Sequence, residues 1–150
     1  MTTKKRAPRL TPFQKKVLAR ARQLVKQRWG RTYWIRVDEE AIPPTTRAKL
    51  GGGHEGNVNA PMKYIVSFCA LGGIEKALWL ELGRPKFQRG NGDFGFGREY
   101  DKAYRKIANR LDWAAREAHG HGIITLNDDL APGAYDRVLQ AYDIALGVKK

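Results

Sequence analysis

Cys69 is the only thiol in the chain, and it falls where a helix is predicted to begin, a place where the amide dipole favours the thiolate. A cysteine nucleophile also needs a base, for which the sequence offers His54, His119 and His121, with Asp128 as a further acid. No spacing rule ties any of these to Cys69, and free cysteines are among the most buried residue types. The thiol therefore reads as structural, no catalytic set is assigned, and Cys69 and Asp128 are kept as the candidates of a less favoured enzyme reading. Zinc is not expected, because His119-Gly120-His121 matches none of the usual ligand spacings.

Gly90, Gly92 and Gly95 reproduce the G-x-G-x-x-G spacing. A dinucleotide loop requires a strand just before the glycines and a helix just after, and residues 86–89 make a poor strand, so no cofactor is expected. Arg89, Phe94, Phe96 and Arg98 alternate charge with rings around this loop. They admit two readings: stacking on unpaired bases, or phenylalanines packed in the core.

The strongest chemical signal is charge. Residues 1–36 hold 12 bases and no acid, while the remaining 114 residues hold 16 bases against 15 acids. Segregation of this kind points to a surface that meets a polyanion. Lys15, Lys16, Arg20, Arg22, Lys26, Arg28 and Arg31 are expected to contact nucleic-acid phosphates, with Trp34 and Arg36 as an exposed stacking platform at the edge.

The elements that must carry these residues follow from periodicity. Met1 to Leu10 reads as a flexible basic arm, and 11–150 as one globular domain. Thr11, Pro12 and Gln14 start a helix by capping box and proline at its first position; Phe13, Val17, Leu18, Ala21, Leu24 and Val25 give its buried stripe, and Gly30 stops it. Alternation at Tyr33, Ile35 and Val37 predicts a strand, residues 38–61 a long loop, and Tyr64 to Val66 a short second strand.

Ser67 is expected to cap a helix from Phe68 to Leu82 that is apolar around most of its circumference, with Gly72 and Gly73 marking a close backbone approach. A further helix runs from Arg98 to His119, whose Lys102, Arg105, Lys106, Asn109 and Arg110 form a second, weaker basic face. Ile123 to Leu126 reads as a short strand or extended run. Asn127, Asp128 and Asp129 read as the cap of a last helix that carries Tyr135, Val138, Leu139, Tyr142 and Ala145 inward. The expectation is an α+β domain, mostly helical, with about four helices and two or three short strands.

Composition is consistent with that outline. At 150 residues, 42% hydrophobic and net charge +13, the chain has enough apolar material for one core. A single cysteine excludes a disulfide framework and suits a reducing compartment. No apolar run reaches the ~20 residues of a membrane span. Lysines and arginines interrupt the leading segment, so it does not read as a secretory signal. A cytoplasmic location is expected.

Phe68-Cys69-Ala70-Leu71-Gly72-Gly73-Ile74, followed by Ile124-Thr125-Leu126-Asn127-Asp128 and a closing helix with Val138, Leu139 and Ala145, resembles a family of small actinobacterial and actinophage proteins. That family has a Cys-x-Leu-Gly-Ala helix, a Trp-Asn-Asp turn and no assigned activity. Gly73 stands where the family has Ala, and Leu126 where it has Trp. The likeness covers roughly residues 62–147. It implies a shared fold, a phage or actinobacterial origin and a host-cell cytoplasmic setting, and it suggests that the Asn127-Asp128 turn bonds near the Cys69-bearing helix.

The reading is thus a small basic phage-type accessory protein whose partner is DNA or RNA, bound mainly through phosphates and without a membrane. The alternative is an interaction protein that docks on an acidic host protein and modulates it.

Overall fold

The computed structural model describes residues 6–31, 34–50 and 57–148. Lys4, Lys5, Tyr33, the glycines at 51–53 and His54 lie outside them. The first helix, α1, runs over Pro12–Arg28. Thr11 Oγ1 accepts from the Gln14 amide at 3.1 Å, and Gln14 Oε1 accepts from the Thr11 amide at 3.0 Å. This reciprocal cap satisfies two amides that a helix start otherwise leaves orphaned. The stripe from Val17 to Val25 is buried as its spacing predicts, but Phe13, expected to begin it, lies exposed in the first turn before the helix meets the body.

β1 (Ile35–Val37) and β2 (Ile65–Phe68) form an antiparallel pair in which Ile35 faces Phe68 across the ladder. The segment between them is not one long loop: α2 (Pro44–Lys49) interrupts it. Pro44 fits its first turn, and the Arg47 guanidinium ties it to the Glu39 and Ile42 carbonyls.

α3 (Ala70–Glu81) is the central helix, with every residue from Ala70 to Trp79 buried. Its cap is Cys69 rather than Ser67, since β2 extends through Phe68 and the Cys69 sulfur accepts from the Gly72 amide at 3.3 Å. Gly72 is obligatory here: an added Cβ would lie 1.6 Å from the Trp34 carbonyl oxygen. The turn after α3 holds Gly83 at φ 82°, with the Arg84 amide donating to the Trp79 carbonyl at 2.9 Å and the Gly83 amide to Leu80 at 3.1 Å. That is the Schellman arrangement, which consumes two of the helix's last carbonyls.

α4 spans Arg98–His119, as the sequence predicts. The glycine loop before it folds its rings inward: Phe96 lies 5.1 Å from Tyr100, and Phe94 4.7 Å from Tyr104. Core packing is therefore their role, and stacking on bases is corrected.

Residues expected as an extended run form a helix instead, α5 (Ile123–Asp128). Asp112 Oδ1 accepts from the Ile123 amide at 2.9 Å, and Ile123 and Leu126 are buried one turn apart. That tertiary cap and burial override the β-branched pair Ile123-Ile124. The last helix, α6 (Ala134–Ala145), starts after Gly133 at φ 91°, so the Asn-Asp-Asp cluster is not its cap. The fold is α+β and mostly helical, as expected. Short α2 and α5 take the helix count above four, and two strands are present among the described residues.

Candidate functional site

The bases of α1 divide by direction. On one flank, Lys16 and Arg20 share Glu81 at the end of α3, at 3.5 and 3.0 Å. On the other, Arg22 bonds Asp143 of α6 in a two-pronged contact, 2.7 and 3.3 Å, with both side chains about four-fifths covered. Arg28 donates to the Met62 and Ile65 carbonyls at 2.6 and 2.7 Å, which pins the helix end to the β2 entry. Arg31 donates to the Asp129 carbonyl at 3.0 Å and stacks 5.0 Å from Trp29. The exposed crest between these flanks runs Lys15, Ala19, Gln23 and Lys26, with a lysine at each end and neutral residues between. Trp34 is half-buried, 6.3 Å from Tyr104, and its carbonyl accepts from the Cys69 amide at 2.9 Å; Arg36 is exposed beside it on β1.

α4 carries a different array. Lys102, Arg105, Lys106, Asn109, Arg110, Trp113 and Arg116 recur every three or four residues and so share one face over about four turns. Residues 6–10 lie against this face: the Pro8 carbonyl accepts from Arg110 at 3.3 Å, Leu10 packs on the core, and Arg6 borders a depression of about 510 Å³ with Asn109, Trp113 and Arg116. Arg110 stacks 5.0 Å from Trp113. A second depression, of about 540 Å³, is lined by Gln14, Lys102, Arg105 and Lys106. Lys102 and Lys106 are exposed and form no ion pair with a carboxylate among the described residues. Arg105 pairs with Asp93 and Arg116 with Asp112, but both arginine side chains stay more than half exposed, where such pairs are worth about 0–1 kcal/mol.

Cys69 and the Asn127-Asp128 turn do meet. Asn127 is buried; its Oδ1 accepts from the Ala70 amide at 2.8 Å and from Trp29 Nε1 at 3.0 Å, while Nδ2 donates to the Gly30 carbonyl at 3.2 Å and Asp128 Oδ1 at 3.3 Å. Every polar position of that amide is used, and it joins the end of α1, the start of α3 and α5. Tyr142 reinforces the joint by donating to the Ala70 carbonyl.

Cys69 borders a small cleft of about 120 Å³ with Trp34, Ile123 and Asp128. Burial pushes its thiol up to about 11, and the nearby carboxylates Glu75 and Asp128 oppose ionisation further. The Gly72 and Leu71 amides pull the other way and lose, so the dipole argument from the sequence is outweighed. At neutral pH the group is a thiol that accepts a hydrogen bond, poorly suited to nucleophilic attack.

Sequence reasoning missed Glu75 and Lys76, adjacent charges in the middle of the buried helix. Lys76 Nζ donates to the Val58 and Ala60 carbonyls at 2.6 and 2.8 Å and sits 4.2 Å from the Trp79 ring centroid. Desolvation pushes this amine down to about 7, helped by the positive charges of Arg84 and Arg20. The available signal was two charged residues inside a run otherwise apolar on all sides, which is a request for buried partners.

Among the described residues no group of three or more His, Cys, Asp or Glu side chains is arranged to hold a metal ion. None of their helices is long and apolar enough to cross a membrane. No family model, curated protein or solved structure matches the chain.

Proposed function

We propose that the protein binds nucleic acid, DNA or RNA, through phosphate contacts along the face built by α4 and residues 6–9. One observation carries the reading: the exposed Lys102, Arg105, Lys106 and Arg116 share one face of a rigid helix with Arg6 alongside, while Arg110 in the same row is braced by the Pro8 and Ala145 carbonyls. A phosphate backbone is itself a line of evenly spaced charges, and lysines with no carboxylate partner among the described residues contact it without breaking such a pair. Lys15 and Lys26 extend the positive surface onto the crest of α1. The braced cations Arg22 and Arg28 serve mainly to seat α1, while Lys16 and Arg20 pair with Glu81 from exposed positions beside the crest. The face has no groove-reading element, so binding is expected to depend weakly on sequence.

The test is a salt titration of binding to duplex and single-stranded DNA and RNA. With about six phosphate contacts, affinity falls roughly 10³-fold between 50 and 200 mM salt. A salt-independent affinity, or no binding at low salt, overturns the reading.

A further inference from the structure

Where α3 ends, a groove of about 580 Å³ opens, within the roughly 300–1,000 Å³ range of small-molecule sites. Lys49, Arg84 and Lys86 stand around it, Trp79 and Phe87 supply rings, and Asn59 contributes its amide. The two depressions along α4 include Glu99 or the pair Asp112 and Glu117, whereas this lining holds, among the described residues, three cations and no acid. None of the three pairs with a carboxylate among the described residues. Like charges converging on one concave surface repel one another and attract an anion into it.

Four further features point to a ligand with both a charged and a flat aromatic part. Asn59 Oδ1 is buried and has no hydrogen-bond donor among the described residues, and such an orphaned acceptor stays unsatisfied until a donor arrives. Trp79 is fixed in place, its Nε1 donating to the Pro85 carbonyl at 2.9 Å and its ring held against the Lys76 amine. Phe87, half-buried and edge-on to Phe96 at 6.2 Å, is held by that contact at the groove. Arg84, finally, adopts φ 59°, a left-handed conformation otherwise taken by glycines among the described residues. A side-chain-bearing residue kept there marks strain held by its surroundings, and it sets the guanidinium at the groove.

We propose that this groove binds a nucleotide unit. Its phosphate is held by Arg84, Lys86 and Lys49; its base lies on Phe87 and donates an exocyclic amine hydrogen to Asn59 Oδ1. The groove shares no lining residue with the α4 face, so the two proposals fail independently.

The experiment measures binding of AMP, UMP, adenosine and inorganic phosphate to the full chain by calorimetry at low salt. AMP is expected to bind more tightly than adenosine or phosphate alone, and several-fold more tightly than UMP, which lacks an exocyclic amine. The double variant Arg84→Gly, Lys86→Gln keeps its fold, because glycine relieves the left-handed strain, and loses at least tenfold in AMP affinity. Asn59→Ala abolishes the preference for AMP over UMP. The variant Lys102→Gln, Lys106→Gln binds AMP as the parent does, whatever happens to its affinity for strands. A short oligoadenylate that displaces AMP identifies a strand as the source of the nucleotide; AMP binding without such competition identifies the free compound. Absence of AMP binding at millimolar concentration, or equal affinity in the Arg84→Gly, Lys86→Gln variant, overturns the proposal.

Discussion

The seam between α1 and the body and the outer face of α4 are both rich in arginine and lysine, yet they spend that charge differently. Along the seam, Arg22 meets Asp143 and Arg28 meets two carbonyls, both committed inward, while Lys16 and Arg20 reach Glu81 from exposed positions. On α4, Lys102 and Lys106 point to solvent, and the arginines that do pair keep most of their surface exposed. Cations counted along a chain thus overstate the charge presented to a partner wherever acids distant in sequence reach them in space. The seam should govern stability, and the face should govern binding.

The largest expected effect lies in the body against which α1 is seated. Gly72→Ala drives a methyl group into the Trp34 backbone, which cannot give way without displacing β1 from α3. A loss of about 3 kcal/mol or more in denaturant unfolding is expected; a loss below about 1 kcal/mol would mean that the close approach is not maintained. Next, Asn127→Ala strips a buried amide from the joint of α1, α3 and α5 and orphans the Ala70 amide and Trp29 indole. That should cost about 2–3 kcal/mol by the same measurement.

The face is addressed by Lys102→Glu, Lys106→Glu, which should weaken nucleic-acid binding about tenfold or more at low salt and flatten the salt slope by about 2, while the melting temperature holds. Unchanged affinity would move the interface elsewhere, with the crest of α1 next in line. The smallest effect belongs to Arg22→Ala, expected to cost about 1 kcal/mol and lower the melting temperature by a few degrees with strand affinity nearly untouched. An affinity loss greater than that of the α4 variant would reverse the comparison between seam and face.

Much of this was legible in the chain. The Thr11-Pro12-Gln14 start of α1 and the full extent of α4 follow from capping chemistry and a 3.6-residue period, both local properties. Gly72 announced a close contact, although only the folded chain names Trp34 as what approaches it. The proximity of Asn127 to the Cys69 helix was anticipated from the paired motifs, and the bond to Ala70 shows how it is made. Illegible were α5, which depends on a cap from Asp112 eleven residues earlier, and the groove after α3, assembled from three separate segments.

Residue types and their spacing determined the helices, the buried stripes and the size of the positive excess, because these depend on neighbours within one or two turns. Tertiary structure decided which cations remain available, that Cys69 stays protonated, and that Lys76 lies inside. Ion pairing and desolvation act through space over a few ångströms, and the groups that come within that reach are set by how the helices pack.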